Sequence, residues 1–178
     1  MRVDELRKLG GVACAALAPS GGCTIYAKRP QICRAYQCLW LQGKLELEDR
    51  PDRLGAVLDL TSEAGAPLLA IREAVPGATD TNARLRAIAE RYRAAMPVRI
   101  TRAADALRAD APVRTLLANG EELLATGDTV VRRRGEREIE RTRAPLLERA
   151  VRRGLLAWQR WRIRNYGDGA AAVRRSAP

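Results

Sequence analysis

The chain has no histidine and no phenylalanine, and only seven of its 178 residues are aromatic (three Trp, four Tyr). Without histidine there is no imidazole to act as acid, base or nitrogen ligand near neutral pH. Catalytic triads built on His and zinc sites of the Cys/His kind are therefore excluded. There is also no phosphate-cradling GxxxxGK[ST] loop, no GxGxxG turn and no GxSxG nucleophile elbow, so the signatures of the commonest nucleotide-binding and hydrolase sites are missing. No apolar run approaches the roughly 18 residues that a bilayer-spanning helix needs. Lysine is scarce: Lys8, Lys28 and Lys44 are the only three among 32 basic residues. Without Phe, the core has to be assembled from Leu, Val, Ile and Ala.

The hydrophobic share of 47% is enough for such a core and argues against global disorder. The length suits one domain, or one domain with a small module attached. The net charge is +11, and it is uneven: Arg132–Pro178 holds 14 arginines against 5 acidic residues. A basic excess points to nucleic acid or an anionic membrane, although a chain rich in both Arg and Ala also acquires that charge through compositional bias alone. Leu9–Ala18 is apolar and ends in Ala-Leu-Ala, like a short secretory leader. Asp4 and Glu5 stand where a leader is basic, and Gly10-Gly11 interrupts its apolar centre. A cytoplasmic chain with reduced thiols is the expectation.

Turn residues and periodicity divide the chain. Val3–Leu9 reads as a short helix ended by Gly10-Gly11, and Pro19–Gly22 as a turn. Thr24–Tyr26 reads as a brief extended piece and Ile32–Leu41 as a helical turn. Gly55–Leu60 and Leu68–Arg72 form a β-hairpin. Thr79 or Asp80 caps a helix over 81–96, carried by Leu85, Ile88, Ala89, Tyr92 and Met96 at helical spacing. Val98–Thr101 is a strand, Ala103–Ala109 is helical, and Val113–Leu117 pairs with Glu121–Ala125 across Asn119-Gly120. Thr129–Arg132 adds a strand. The charged Glu136–Arg143 reads as a solvated helix start or linker. A last helix over 145–165 follows Pro145, with the stripe Leu147, Val151, Leu155 and Trp158 as its core side. Residues 167–178 are expected to fray. The fold class is α+β: a small, irregular cysteine-rich module over 1–53, then a body over 54–166 of antiparallel strands and hairpins with two main amphipathic helices.

All four cysteines fall between Cys14 and Cys38, at C-x8-C-x9-C-x4-C. Four thiolates close one tetrahedral site for zinc or iron. Cys33 and Cys38 do not share a helix face, so they converge only if the chain turns between them. The spacing is not that of the common CxxC…CxxC ribbon, and it leaves three readings open: metal ligands, buried unliganded thiols, or disulfides in an oxidising compartment.

Gly22-Cys23-Thr24-Ile25-Tyr26 and Arg29-Pro30-x-x-Cys33-Arg34-x-Tyr36-x-Cys38-Leu39-Trp40-Leu41, followed by Arg50-Pro51-Asp52, resemble the cysteine-cluster proteins of the YkgJ type. These are also described as the CxxCxxCC zinc- or iron-chelating family. The resemblance covers roughly residues 5–75 and is most specific over 22–41. It implies that Cys14, Cys23, Cys33 and Cys38 are metal ligands. Members usually carry a further CxxCC cluster before the segment matching Val3–Leu9, and often a His after the cysteine matching Cys14. This sequence has neither, so one four-sulfur site is its ceiling.

Around the thiols, Arg29 and Arg34 are placed to offset the net −2 of a zinc tetrathiolate and to donate hydrogen bonds to it. The competing role for Arg34 is an ion pair with Asp49 or Asp52. Tyr36 and Trp40 are expected to pack over the site and exclude water. Glu63, Glu73 and Glu90 are isolated carboxylates, and no pair is spaced for acid/base work. The expected function is a non-catalytic, structural zinc site. An iron–sulfur redox centre on the same thiolates is the alternative. A nucleic-acid contact through Trp158, Trp161 and the arginines of the last helix is a second alternative.

Overall fold

The computed structural model describes residues 3–8, 14–19, 22–105, 108 and 110–166. Its centre is one seven-stranded sheet whose spatial order, β1 to β7, is also the order along the chain. Before the sheet come irregular turns and two short helices, α1 (Gln31–Ala35) and α2 (Pro51–Leu54). Pro51 takes the first position of α2, where its missing N–H costs nothing. Gly55 closes α2 at φ +69°, a left-handed conformation that favours glycine, and a Cβ there would lie a tight 3.1 Å from the Val75 side chain.

β1 (Ala56–Glu63) and β2 (Ala66–Glu73) form the expected hairpin. Its two-residue turn, Ala64-Gly65, has φ of +48° and +82°. Positive φ at both centres matches the right-handed twist of the strands. β2 then pairs in parallel with β3 (Val98–Arg102), the one parallel pairing among the six. Parallel neighbours need a crossover, and α3 (Ala78–Thr81) and α4 (Ala83–Arg93) supply it. Neither Thr79 nor Asp80 caps the long helix. Asn82 does, its side-chain oxygen accepting from the backbone N–H groups of Arg84 and Leu85 at 3.0 and 3.1 Å. Glu73 instead serves the crossover's start, accepting from the N–H groups of Gly77 and Thr79 at 3.0 and 2.8 Å.

β4 (Val113–Leu116) and β5 (Glu122–Thr126) form the expected second hairpin, and the expected strand β6 (Thr129–Arg134) pairs antiparallel with β5. Glu136–Arg143 is neither helix nor linker: β7 (Arg137–Arg143) pairs with β6 along its length. Five of the seven residues of β7 are Arg or Glu, and both its faces are solvated. The ladder to β6 and the cross-strand pair Arg132–Glu140 at 3.8 Å hold it, with no apolar face involved. The expected helix over Ala103–Ala109 is a single turn at Ala103–Asp105, and Ala106, Leu107 and Ala109 lie outside the described residues. So do Leu9–Ala13, Ser20-Gly21 and the terminal stretch 167–178. The chain ends its described course in α5 (Leu146–Tyr166).

The core lies on one face of the first four strands. Leu58, Leu69, Ile71, Val98, Ile100 and Leu116 meet Leu85, Ile88 and Ala89 of α4, with Leu39 and Leu54 closing the end. This buried cluster stops at Leu116. β5, β6 and β7 extend the sheet beyond this cluster.

Candidate functional site

The four cysteines sit in a stretch that folds mainly on itself. Within Cys14–Cys38 the described backbone hydrogen bonds are local. Leu17 N–H donates to Cys14, Ala18 to Gly22, Thr24 to Ala16, Tyr26 to Cys23, and Tyr36 to Ile32. Leu17 and Cys23 form a single antiparallel bridge. Thr24–Tyr26 is therefore turned rather than extended, passing into one tight helical turn at Tyr26–Lys28. Val3–Leu9 is likewise less than a helix: one turn at Asp4–Leu6, closed by a bridge between Val3 and Lys8.

The cysteines differ in environment. Cys23 is exposed, Cys14 and Cys33 are half-buried, and Cys38 is buried; none is in a disulfide. Cys33 lies in α1, and Cys38 stands in the turn beyond it. Among the described residues, no three Cys, Asp or Glu side chains are gathered closely enough to hold a metal ion. As folded here, the four thiols do not form a closed tetrathiolate.

The arginines expected beside the thiols are directed elsewhere. Arg34 donates to the backbone carbonyls of Arg29 and Ala27 at 3.0 and 3.3 Å, clamping the turn that precedes Cys33. It pairs with neither Asp49 nor Asp52. Asp49 accepts from Arg84, and Asp52 from Arg50 at 3.1 Å. Arg29 lies over the Tyr26 ring, 4.1 Å from its centroid. Trp40 is half-buried, with the Arg50 guanidinium 5.9 Å from its ring centroid.

Tyr36 marks the join to the sheet. Its hydroxyl contacts both carboxylate oxygens of Asp59, at 2.8 and 2.9 Å. Arg72, on the next strand, pairs with the same carboxylate. Burial of the phenol, followed by its hydrogen bond to Asp59, pushes the Tyr36 hydroxyl above the usual tyrosine range. Three residues on, the N–H of buried Leu39 donates to Leu58 at 2.9 Å, covering the free edge of β1. Asp59 and Arg72 were not marked by any motif. The available signal was a carboxylate in the middle of the apolar run Ala56–Leu60, where burial requires a partner.

Comparison of the chain with protein-family models, curated proteins and solved structures finds no match.

Proposed function

We propose that the chain is a metal-binding cysteine protein in which Cys14, Cys23, Cys33 and Cys38 are the thiolate ligands of one zinc ion, with a structural, non-catalytic role. The observation that carries this reading is the placement of four thiols, none in a disulfide, in one short irregular stretch whose described backbone bonds are local. Only Cys38 is buried; the other three are reachable from solvent. In this reading the ligands come together as the ion binds, so that metal affinity and ordering of the segment are one free energy. The likeness to the YkgJ-type proteins belongs to the same proposal. Iron, alone or in a cluster, is the other occupant that the same thiolates suit.

The test is elemental analysis of anaerobically purified protein with its visible spectrum, combined with thiol counting before and after chelation. The expected result is one zinc per chain, no colour, and four thiols shielded until the metal is removed. After removal, Cys14, Cys23 and Cys33 should react promptly and Cys38 slowly. Iron with sulfide and a brown chromophore would replace zinc by the redox reading. Thiols that react identically with and without added zinc would end the metal proposal.

A further inference from the structure

In α5 the apolar stripe faces the opposite way from that of a core helix. At 3.6 residues per turn, Leu147, Val151, Leu155, Trp158 and Trp161 fall on one side, and the sequence alone assigns that side to the core. All five, together with Leu146, are instead 51–78% exposed, and Ala150, Gly154 and Ala157 beside them are exposed as well. The charged side holds the helix to the body. Arg149 and Arg153 reach Asp128 in the β5–β6 turn at 2.7 and 3.4 Å, and Arg152 donates to the carbonyl of Gly127. A helix docked by its arginines and showing leucine, valine and tryptophan outward inverts the usual globular pattern.

Charge identifies what suits that face. α5 carries six arginines and one glutamate, and Thr129–Tyr166 as a whole carries twelve arginines and four glutamates. A second copy of α5 laid against the first would bring two strongly cationic helices together. A nucleic acid would be read by guanidinium groups, whereas the outward stripe is apolar and Arg149 and Arg152 are held against Asp128 and the carbonyl of Gly127. Among the described residues no helix is long and apolar enough to cross a membrane. A cationic helix with Leu, Val and Trp along one side, and Arg149, Arg152 and Arg153 on the side that meets the body, has the composition of a helix that lies in the plane of a lipid surface. We propose that α5 seats its Leu147–Trp161 face in an anionic bilayer surface, toward which the basic excess of Thr129–Tyr166 draws the protein.

The experiment uses the full chain and two vesicle types, phosphatidylcholine alone and phosphatidylcholine mixed with phosphatidylglycerol. The expected result is co-flotation with the mixed vesicles, a blue shift of tryptophan emission, and weaker binding as salt is raised. The double substitution Leu147→Asp/Leu155→Asp should weaken vesicle binding by at least about tenfold. Its thermal midpoint should not change, because both side chains are exposed. If the midpoint does move, Trp161→Gln provides the same reading with a smaller perturbation. Metal-stripped protein should bind as well as loaded protein, which separates this proposal from that for the cysteines. Three results would overturn it: no flotation at low ionic strength, self-association in sedimentation velocity that the double substitution abolishes, or binding of duplex DNA or RNA without binding of vesicles.

Discussion

At the scale of single residues, Tyr36 and Cys38 link the cysteine stretch to the sheet and lend themselves to separate tests. Tyr36→Phe removes the contacts to Asp59 at 2.8 and 2.9 Å and leaves that carboxylate to Arg72 alone. The expected cost is about 1 kcal/mol in a urea transition near neutral pH. Because the folded phenol is held above its usual range, its stabilising contribution is complete below the unfolded-chain value of about 10 and fades as pH rises past it. The Tyr36→Phe chain should therefore lose less stability between neutral and alkaline pH than the parent. Cys38 is 4% exposed, so Cys38→Ala should destabilise metal-free protein by about 1 kcal/mol through lost packing, while Cys23→Ala, at an exposed position, should have no effect on the midpoint. The cysteine spacing was legible, but the role of Tyr36 was not: it was expected to pack over the thiols, whereas its hydroxyl is bonded to Asp59 on β1. The partners of Arg34 were not legible either, because carbonyls in its own turn lie nearer than any carboxylate and no sequence pattern encodes that distance.

Among elements, those with an apolar period were readable and those held by charge or by turn chemistry were not. β1, β2 and β3 alternate or run apolar and appear where expected; α4 does too, trimmed to Ala83–Arg93 by its cap. Asn82→Ala should cost about 1 kcal/mol, measured by thermal unfolding, since it removes the acceptor of two otherwise unsatisfied N–H groups. β7 has no apolar face, so periodicity gave no hint of a strand there. Its existence depends on pairing with β6, which only the fold reveals. The parallel β2–β3 pairing was hidden for a similar reason: an amphipathic helix between two strands does not state on which side the chain returns. In α5 the period was legible and the direction was not, because a stripe of Leu, Val and Trp reads the same whether it faces a core or a lipid. Amide hydrogen exchange should be slowest in β2, β3 and α4 and fast in β7, where every residue is exposed.

Across the whole molecule, carboxylates hold the edges of the structure together and set its response to acid. The hydrogen bond from Arg84 draws Asp49 below its ordinary value of 3.8. Burial raises Glu122, but its bonds to Arg114 and Arg133 outweigh that and leave it below 4.5. Arg149 does the same for Asp128, the attachment point of α5. All three are depressed in the fold, so their contribution is complete above the unfolded-chain values and is lost as pH falls through the depressed ones. Thermal stability should be level down to about pH 5 and fall below it, with α5 loosening as Asp128 takes up a proton. The core follows a different rule: Leu69→Ala, at a fully buried position in β2, should cost about 3 kcal/mol at any pH. A final consequence comes from the agreement between strand order and chain order. Each strand pairs with the one made just before it, so the sheet is able to assemble in the direction of synthesis. Its only distant closure is β3 against β2 across α3 and α4. Since the buried cluster is complete at Leu116, a chain cut after Gly127 is expected to keep a cooperative urea transition, with β5 as its new edge. The later strands and α5 are then an outgrowth on a body that is already folded when they emerge.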